Sequence, residues 1–307
     1  LACAYEAAGA GLQAAVLERG DAPGAKSLSG GRLYLQPVEE LCGDFLKDAP
    51  FERPVVSESI ALTDDRSSVS FRLDNGEESE KPNSVTVLMN PLLKHLGEKA
   101  AGKGALVLPQ QKAEELIREN GNAAGVKIGG EDLRAKVVVA ADGVLSFLAL
   151  EAGLRPDRPT DTYGIGIKEI IQLDSSKIEE RFNLPAGKGA SRLYMGRVTR
   201  GIPGGGFIYT NSGSLSIGLV VHMKSLSDWQ SETEAWELLE AFKNRPDVAP
   251  LIAGGKTIEY GAHLIPEGGF SHMPKPGIPG LLLTGDAAGL VLNTGNTLRG
   301  MDLALAS

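Results

Sequence analysis

Residues 281–300, LLLTGDAAGLVLNTGNTLRG, restrict the possible fold more than any other stretch of the chain. Leu281–Leu283 is a short apolar run after Pro279-Gly280, which predicts a buried strand. Gly285-Asp286 stops it and the small residues Ala287, Ala288 and Gly289 follow; Asn293-Thr294-Gly295-Asn296 then predicts a cap or turn opening a helix at Thr297. A strand, a small-residue bend and a helix N-terminus together offer free backbone N–H groups and a partial positive charge. That arrangement suits a phosphate, or an electron-rich ring that becomes anionic on reduction, and Asp286 can accept a hydrogen bond from a sugar hydroxyl. It is equally the form of an ordinary strand–turn–helix junction.

A second edge of this kind lies mid-chain. Residues 137–141, VVVAA, predict a fully apolar buried strand that Asp142-Gly143 ends, with Ser146 beginning a helix at 147–151. In an open α/β sheet such a strand tip borders a ligand, although Asp-Gly is also a plain turn. At the front, a helix over 1–8, a turn at 9–11 and a strand over 12–17 ending in Glu18 predict a βαβ unit without its first strand. Gly9-Ala10-Gly11-Leu12-Gln13-Ala14 matches G-x-G-x-x-A, but it closes a helix and opens a strand, the reverse of the dinucleotide fingerprint. It is rejected as one. In a Rossmann unit an acid about 20 residues past the glycines binds ribose, which would fit Glu18 if the glycines lay upstream of Leu1; otherwise Glu18 is a solvated strand-end charge. Both ends of the chain read as interior to a longer protein.

Composition narrows the function. At 307 residues two packed units are expected, and 42% hydrophobic with 23% charged residues is globular. A net charge of −8 without a Lys/Arg cluster excludes a general nucleic-acid binder. Two cysteines, Cys3 and Cys42, make no disulfide framework and are too few for an iron–sulfur cluster. A reducing cytoplasmic compartment fits, no apolar run reaches membrane-spanning length, and peripheral membrane contact is compatible. The four histidines and two cysteines have no metal-ligand spacing.

Between these landmarks, 21–34 predicts a glycine-rich loop with Lys26 and Arg32, able to follow a pyrophosphate or simply to connect elements. Alternation at 59–62 and 68–71 around Asp64-Asp65 predicts an antiparallel hairpin. Residues 74–83 read as charged and exposed, 85–88 as a strand, and 91–101 as a helix with His95 on its surface. Three short strands are expected at 106–108, 113–119 and 124–128. After the proline-rich 155–159, strands at 163–173, 191–197, 206–211, 215–221 and 258–265 predict an antiparallel sheet. A helix over 229–243 with Trp236, Leu239 and Phe242 on its buried stripe covers that sheet. His263, within the last strand, reads as a sheet histidine rather than a proton-transfer residue.

These residues carry a resemblance along essentially the whole chain. Glu18-Arg19-Gly20, Gly24-Ala25-Lys26, Ser29-Gly30-Gly31-Arg32-Leu33-Tyr34, Ala141-Asp142-Gly143, Phe207 to Asn211, Ala262-His263 through Gly268-Gly269, Gly285-Asp286-Ala287-Ala288-Gly289 and Arg299-Gly300-Met301-Asp302 resemble the FixC family. These are FAD-dependent oxidoreductases related to electron-transfer-flavoprotein:quinone oxidoreductase, and more distantly to geranylgeranyl reductases and aromatic hydroxylases. The resemblance implies an α/β fold: a Rossmann-like FAD-binding domain of the glutathione reductase or aromatic hydroxylase type with an inserted antiparallel-sheet substrate domain. It divides the chain into FAD-binding parts at 1–55, 84–155 and 278–307, a hairpin at 56–83 belonging with the substrate domain, and the antiparallel substrate or acceptor domain at 156–277. On the family's scale about twenty residues would precede Leu1 and about a hundred would follow Ser307.

The resemblance further implies that Glu18 binds the adenosine ribose, while Arg19, Lys26, Ser29, Gly30 and Gly31 line the adenosine–pyrophosphate side. Asp142-Gly143 would edge the pyrophosphate, and Gly285-Asp286 would bind the ribityl or pyrophosphate part. Gly295, Asn296 and Thr297 would face the flavin's pyrimidine side, with 207–211 and 263–269 beside the isoalloxazine. The resemblance also places Met89 where relatives commonly carry an arginine, which implies either weaker FAD binding or a cation supplied instead by Arg32. The flavin supplies the chemistry, so no side-chain catalyst is assigned. The implied partners are electron-transfer flavoprotein subunits, a quinone and a small ferredoxin-like iron–sulfur protein, in a FixABCX-like system on the inner face of the membrane. Alternatives are a flavin monooxygenase or isoprenoid reductase on the same fold, and a flavin-free assembly subunit.

Overall fold

The structure, a computed structural model, describes residues 1–28, 30–75, 82–155, 160–229 and 234–307. The chain begins with α1 (Ala2–Gly9), β1 (Ala15–Leu17), β2 (Gly31–Tyr34), α2 (Gln36–Leu46), β3 (Arg53–Thr63), β4 (Ser68–Asp74), β5 (Ser84–Val87) and α3 (Met89–Gly102). It continues through β6 (Leu106–Leu108), β7 (Glu115–Glu119), β8 (Asn122–Ile128), β9 (Glu131–Arg134), β10 (Val138–Ala140) and α4 (Phe147–Glu151). The next stretch holds β11 (Tyr163–Gln172), α5 (Ser175–Phe182), β12 (Gly189–Gly196), β13 (Gly204–Thr210), β14 (Ser214–His222), α6 (Met223–Ser227), α7 (Ala235–Lys243), α8 (Ala249–Ile252) and β15 (Lys256–Pro266). Last come β16 (Gly277–Ile278), β17 (Leu281–Leu283), β18 (Leu292–Asn293), β19 (Leu298–Arg299) and α9 (Met301–Ala306).

Among the described residues the largest sheet runs β15-β11-β14-β13-β12-β3-β5-β2, with β4 paired to β3. Its pairings are antiparallel except that of β12 with β3. The alternation at 59–62 and 68–71 folds as expected, β4 returning on β3 after Asp64 N–H donates to Ser67 O at 2.9 Å. β2 and β5, from stretches expected in the nucleotide-binding part, pair with each other, and β5 joins the sheet through β3. Two parallel pairings stand apart from this sheet: β1 with β6, and β10 with β17. They are the α/β portion of the fold.

One face of the large sheet is dry. Ile167, Ile171, Ile217 and Leu219 pack there against Ile178 and Phe182 of α5 and Leu238, Leu239 and Phe242 of α7. Burying side chains of this size is worth about 1.5–3 kcal/mol each, so the helices fix which face stays free. That free face borders the cavity described below.

Several expectations need correction. The loop expected at 21–34 ends in a strand, because residues 31–34 find β5 as a ladder partner. The strand expected at 106–108 joins β1 rather than β7 and β8, which pair with each other, with the unforeseen β9 on the far side of β8. Trp236 is 52% exposed, and Leu238 replaces it on the buried stripe of α7; the helix starts at Ala235 under a capping box between Glu234 and Glu237. α5 was not foreseen. The apolar strands at 137–141 and 281–283 are covered on one face only among the described residues: Ala140, Leu281 and Leu283 are buried while Val137, Val139 and Leu282 are exposed. His95 is half-buried, not on the helix surface, and its Nε2 lies inside without a partner among the described residues. Most of 74–83 and 155–159 lies outside the described residues.

Candidate functional site

The free face of the sheet presents three rows of directly opposed residues. They are His263–Gly166–Val220–Gly205, Gly261–Lys168–Gly218–Phe207 and Glu259–Ile170–Ser216–Tyr209, each running from β15 through β11 and β14 to β13. Opposed residues share a face, so glycine and aromatic positions together make a shallow apolar wall. Phe207 and Tyr209 stack at 4.9 Å. Burial raises the Tyr209 phenol above its ordinary pKa and pulls the Lys168 ammonium down to about 8. Burial also raises the Glu267 carboxyl, with His222 opposing it.

This wall bounds a cavity of about 900 Å³, within the range of about 300–1,000 Å³ typical of ligand sites. Two strand tips border it as well. β17 ends in Thr284, Gly285 and Asp286, which enter a 3-10 turn over Gly285–Ala288 closed by Gly289. β10 ends in Ala141 and Gly143, also on the cavity. The wall and the β17 tip meet where His263 Nε2 lies 3.9 Å from Asp286 Oδ2. His263 is thus a half-exposed sheet residue with one edge on the cavity.

Of the residues singled out in the sequence, Lys26, Gly30, Gly31, Gly143, Gly285, Asp286, Gly295, Asn296 and Thr297 border this one cavity. Glu18 and Arg19 do not; Glu18 sits at the tip of β1, where its carboxylate accepts the Gly20 N–H at 2.6 Å. Asp142 lies between two lining residues, but its carboxylate accepts Ser146 Oγ–H at 2.5 Å and Leu148 N–H at 3.2 Å. It therefore holds the start of α4. Ser29 lies outside the described residues.

The helix expected at Thr297 is a further correction. Residues 292–299 form the β18–β19 hairpin, with Leu292 opposite Arg299 and Asn293 opposite Leu298. Gly295 N–H donates to Asn293 Oδ1 at 2.8 Å and Thr294 N–H to Thr297 O at 3.0 Å, so local side-chain bonds win over helix nucleation. α9 starts at Met301, and Asp302 in its first turn is buried against Arg299. The partial charge of a helix end does not fall on Gly295–Thr297.

Arg32 lines the cavity as well, but its guanidinium grips Glu58 through two bonds of 2.6 and 2.7 Å and donates to Ser84 Oγ at 2.8 Å. Its charge is compensated by Glu58, so it is not the free cation that the resemblance led one to expect of it. The cation on the wall is Lys168, which sequence reasoning missed. Its signal was present: Lys168-Glu169 is a charged pair inside an otherwise apolar strand, YGIGIKEIIQ.

Comparison with known proteins adds the following. Residues 163–265 match the family model described as ETF-QO, ubiquinone-binding. The chain is similar to Protein FixC of Escherichia coli K12, 42% identical over 299 residues, which is 97% of this chain and 69% of that protein. It is 41% identical over 300 residues, with the same coverage, to the probable electron transfer flavoprotein-quinone oxidoreductase YdiS of the same organism. A solved geranylgeranyl bacteriochlorophyll reductase-like protein from Thermoplasma acidophilum superposes with a TM-score of 0.77 at 25% identity, covering 99% of this chain and 72% of that one.

Proposed function

This chain belongs to the family of FixC and the electron transfer flavoprotein–quinone oxidoreductases, and on that premise we propose that it binds FAD in the cavity and passes electrons from an electron transfer flavoprotein to a quinone. The observation that carries the reading is the shared space. The strand tips at Gly143 and Asp286 and the wall formed by the segment matching the ubiquinone-binding model border one cavity.

The residues present fit FAD. An ideal Cβ at Gly143 or at Gly295 would have nothing within 4 Å, so both backbones open onto free space where a nucleotide can approach closely. Asp286 offers a carboxylate for hydroxyls, Lys26 a cation for phosphate, and the wall of Phe207 and Val220 an apolar surface for a planar ring. Glu18, Arg19 and Asp142 belong to this reading as flanking groups, Glu18 and Arg19 towards the adenosine and Asp142 by orienting the 142–148 turn.

FAD supplies hydride and one-electron chemistry when bound. The chain's own contribution is placement and electrostatics. Asp286 would orient the sugar alcohol part of the cofactor, while Gly30 and Gly31 let their loop pack tightly on Ser216 and Met301 at the edge of the cavity. The apolar wall excludes water, which strengthens every charge interaction inside. The finer partners belong to the same proposal: a two-subunit electron transfer flavoprotein as donor and a small ferredoxin-like iron–sulfur protein. The division into FAD-binding parts at 1–55, 84–155 and 278–307 is proposed with it. No helix among the described residues is long and apolar enough to cross a membrane, and peripheral contact would suffice to reach a quinone.

The test is electron transfer by the full-length protein. Purified protein is expected to show flavin absorbance and to carry electrons from reduced electron transfer flavoprotein to a soluble quinone analogue. Bound FAD with no such transfer would overturn the assignment, and substrate-stimulated NADPH oxidation would move it to a monooxygenase.

A further inference from the structure

β11 is an interior strand, where charged side chains are rare, yet it carries two in succession. Alternation sends them to opposite faces. Glu169 is matched on the dry face by Lys243 Nζ at 3.0 Å and Thr257 Oγ1 at 2.8 Å. Lys168 is left on the cavity face, and the sheet is shaped around it. Its opposed neighbours are Gly261 on β15 and Gly218 on β14. An ideal Cβ at Gly218 would lie 2.7 Å from Lys168 Cβ and 2.6 Å from Phe207 Cζ, and one at Gly261 would lie 2.7 Å from Leu28 Cδ1. Both places are filled by the lysine stem, the aromatic ring and the loop above them.

The ammonium is anchored to that loop. Lys168 Nζ donates to Gly30 O at 2.5 Å. Gly30 has φ +86°, and a Cβ there would meet Ser216 Oγ at 2.2 Å, so the loop touches the sheet at a point that admits no side chain. An ammonium has three donors, and Gly30 takes one.

We propose that Lys168 is a positioning residue with two effects: it clamps the Gly30–Gly31 loop to the sheet, and it presents the positive charge that makes the cavity favour the electron-rich, reduced form of the cofactor over the oxidised one. This rests on the FAD reading above. It gives the cavity a cation besides Arg32, which Glu58 grips through two bonds, and the Glu259 carboxylate on the neighbouring row acts on Lys168 through its charge. Gly218, Gly261 and Phe207 enclose the Lys168 stem and keep it from bulk water, so the charge acts at lowered effective dielectric. The charged groups near it are few. β15 offers Glu259 one residue pair away and His263 on the other side; β14 offers Gly218, Ser216 and Val220, without charge. β13 adds the buried Tyr209 phenol, the loop adds Lys26, and Asp286 lies across the cavity beside His263.

The test uses full-length holoprotein, wild type against Lys168→Met and Lys168→Arg, measuring FAD affinity by flavin fluorescence and midpoint potential from pH 6 to 10. Lys168→Met is expected to shift the preference for reduced over oxidised cofactor at least tenfold at pH 7, about 30 mV for a two-electron couple. Lys168→Arg keeps most of the potential. The wild type loses its advantage over Lys168→Met as pH rises through about 8, where the ammonium gives up its proton, while Lys168→Arg holds it to pH 10. A Lys168→Met protein with bound FAD and an unchanged potential and pH profile overturns the proposal and leaves the cofactor reading standing. If Lys168→Met does not fold, a Lys168→Arg profile that still breaks near pH 8 overturns it equally. Wild-type protein that binds no FAD overturns the cofactor reading itself, and the proposal with it.

Discussion

Ser146 serves a helix and a carboxylate together. It is fully buried, its Oγ accepts the Ala149 N–H at 3.1 Å as the N-cap of α4, and it donates to Asp142 at 2.5 Å. Ser146→Ala should cost about 1–2 kcal/mol, read as a lowered denaturant midpoint with unchanged slope. Arg53 is a heavier constraint. It is 2% exposed and donates to Asn211 O, Glu179, Lys188 O, Ser175 Oγ and Ser212 O at 2.6–3.2 Å, tying β3 to the turns around β12 and β14. Arg53→Met leaves the buried Asn211 carbonyl without its donor and should destabilise by about 1–3 kcal/mol in the same assay. The strand tips were legible in the sequence because an apolar run ends abruptly at Gly-Asp or Asp-Gly, but the pattern alone did not separate Asp286, which borders the cavity, from Asp142, which holds the start of α4. Arg53 was not, since a lone arginine before a strand looks like any surface charge until five separate acceptors converge on it. Lys168 was legible only as an anomaly of pattern.

At the scale of elements, the sequence reads best where periodicity is long. The β3–β4 hairpin, α3 and β11–β15 all lie close to their expected ranges. It reads worst where a few local bonds decide, as at 292–299, where Asn293 and Thr294 satisfy turn groups that a helix would have used. Pairing partners were the other blind spot: nothing local in 31–34 or 106–108 shows which strand lies alongside. The glycine rows of the sheet wall yield a prediction of their own. At Gly218 a Cβ would stand 2.6 Å from Ile167 O and Phe207 Cζ, so Gly218→Ala should cost about 1–3 kcal/mol by overpacking. It should also disturb the Lys168 stem, seen as a changed flavin spectrum. An unaltered melting temperature and spectrum would show the wall to be more compliant than its geometry implies.

For the whole molecule, the buried ammonium gives stability a pH dependence whose sign can be worked out. The folded-state pKa of Lys168 is about 8 against an ordinary 10.5. Between those values the unfolded chain binds more protons, so this group's contribution to stability rises with pH through that window, and its charge burdens the fold below pH 8. Wild type minus Lys168→Met, compared by urea unfolding at pH 7.5 and pH 10, should therefore move in favour of the wild type at the higher pH. The free face of the large sheet and the tips of β10 and β17 border one cavity, and the central claim is that a single FAD occupies it against Asp286. Titrating FAD into full-length apoprotein tests this most directly. One FAD per chain is expected, with Asp286→Ala weakening it about tenfold or more through the lost hydrogen bond to a charged group. Equal affinity in the wild type and in Asp286→Ala would contradict it.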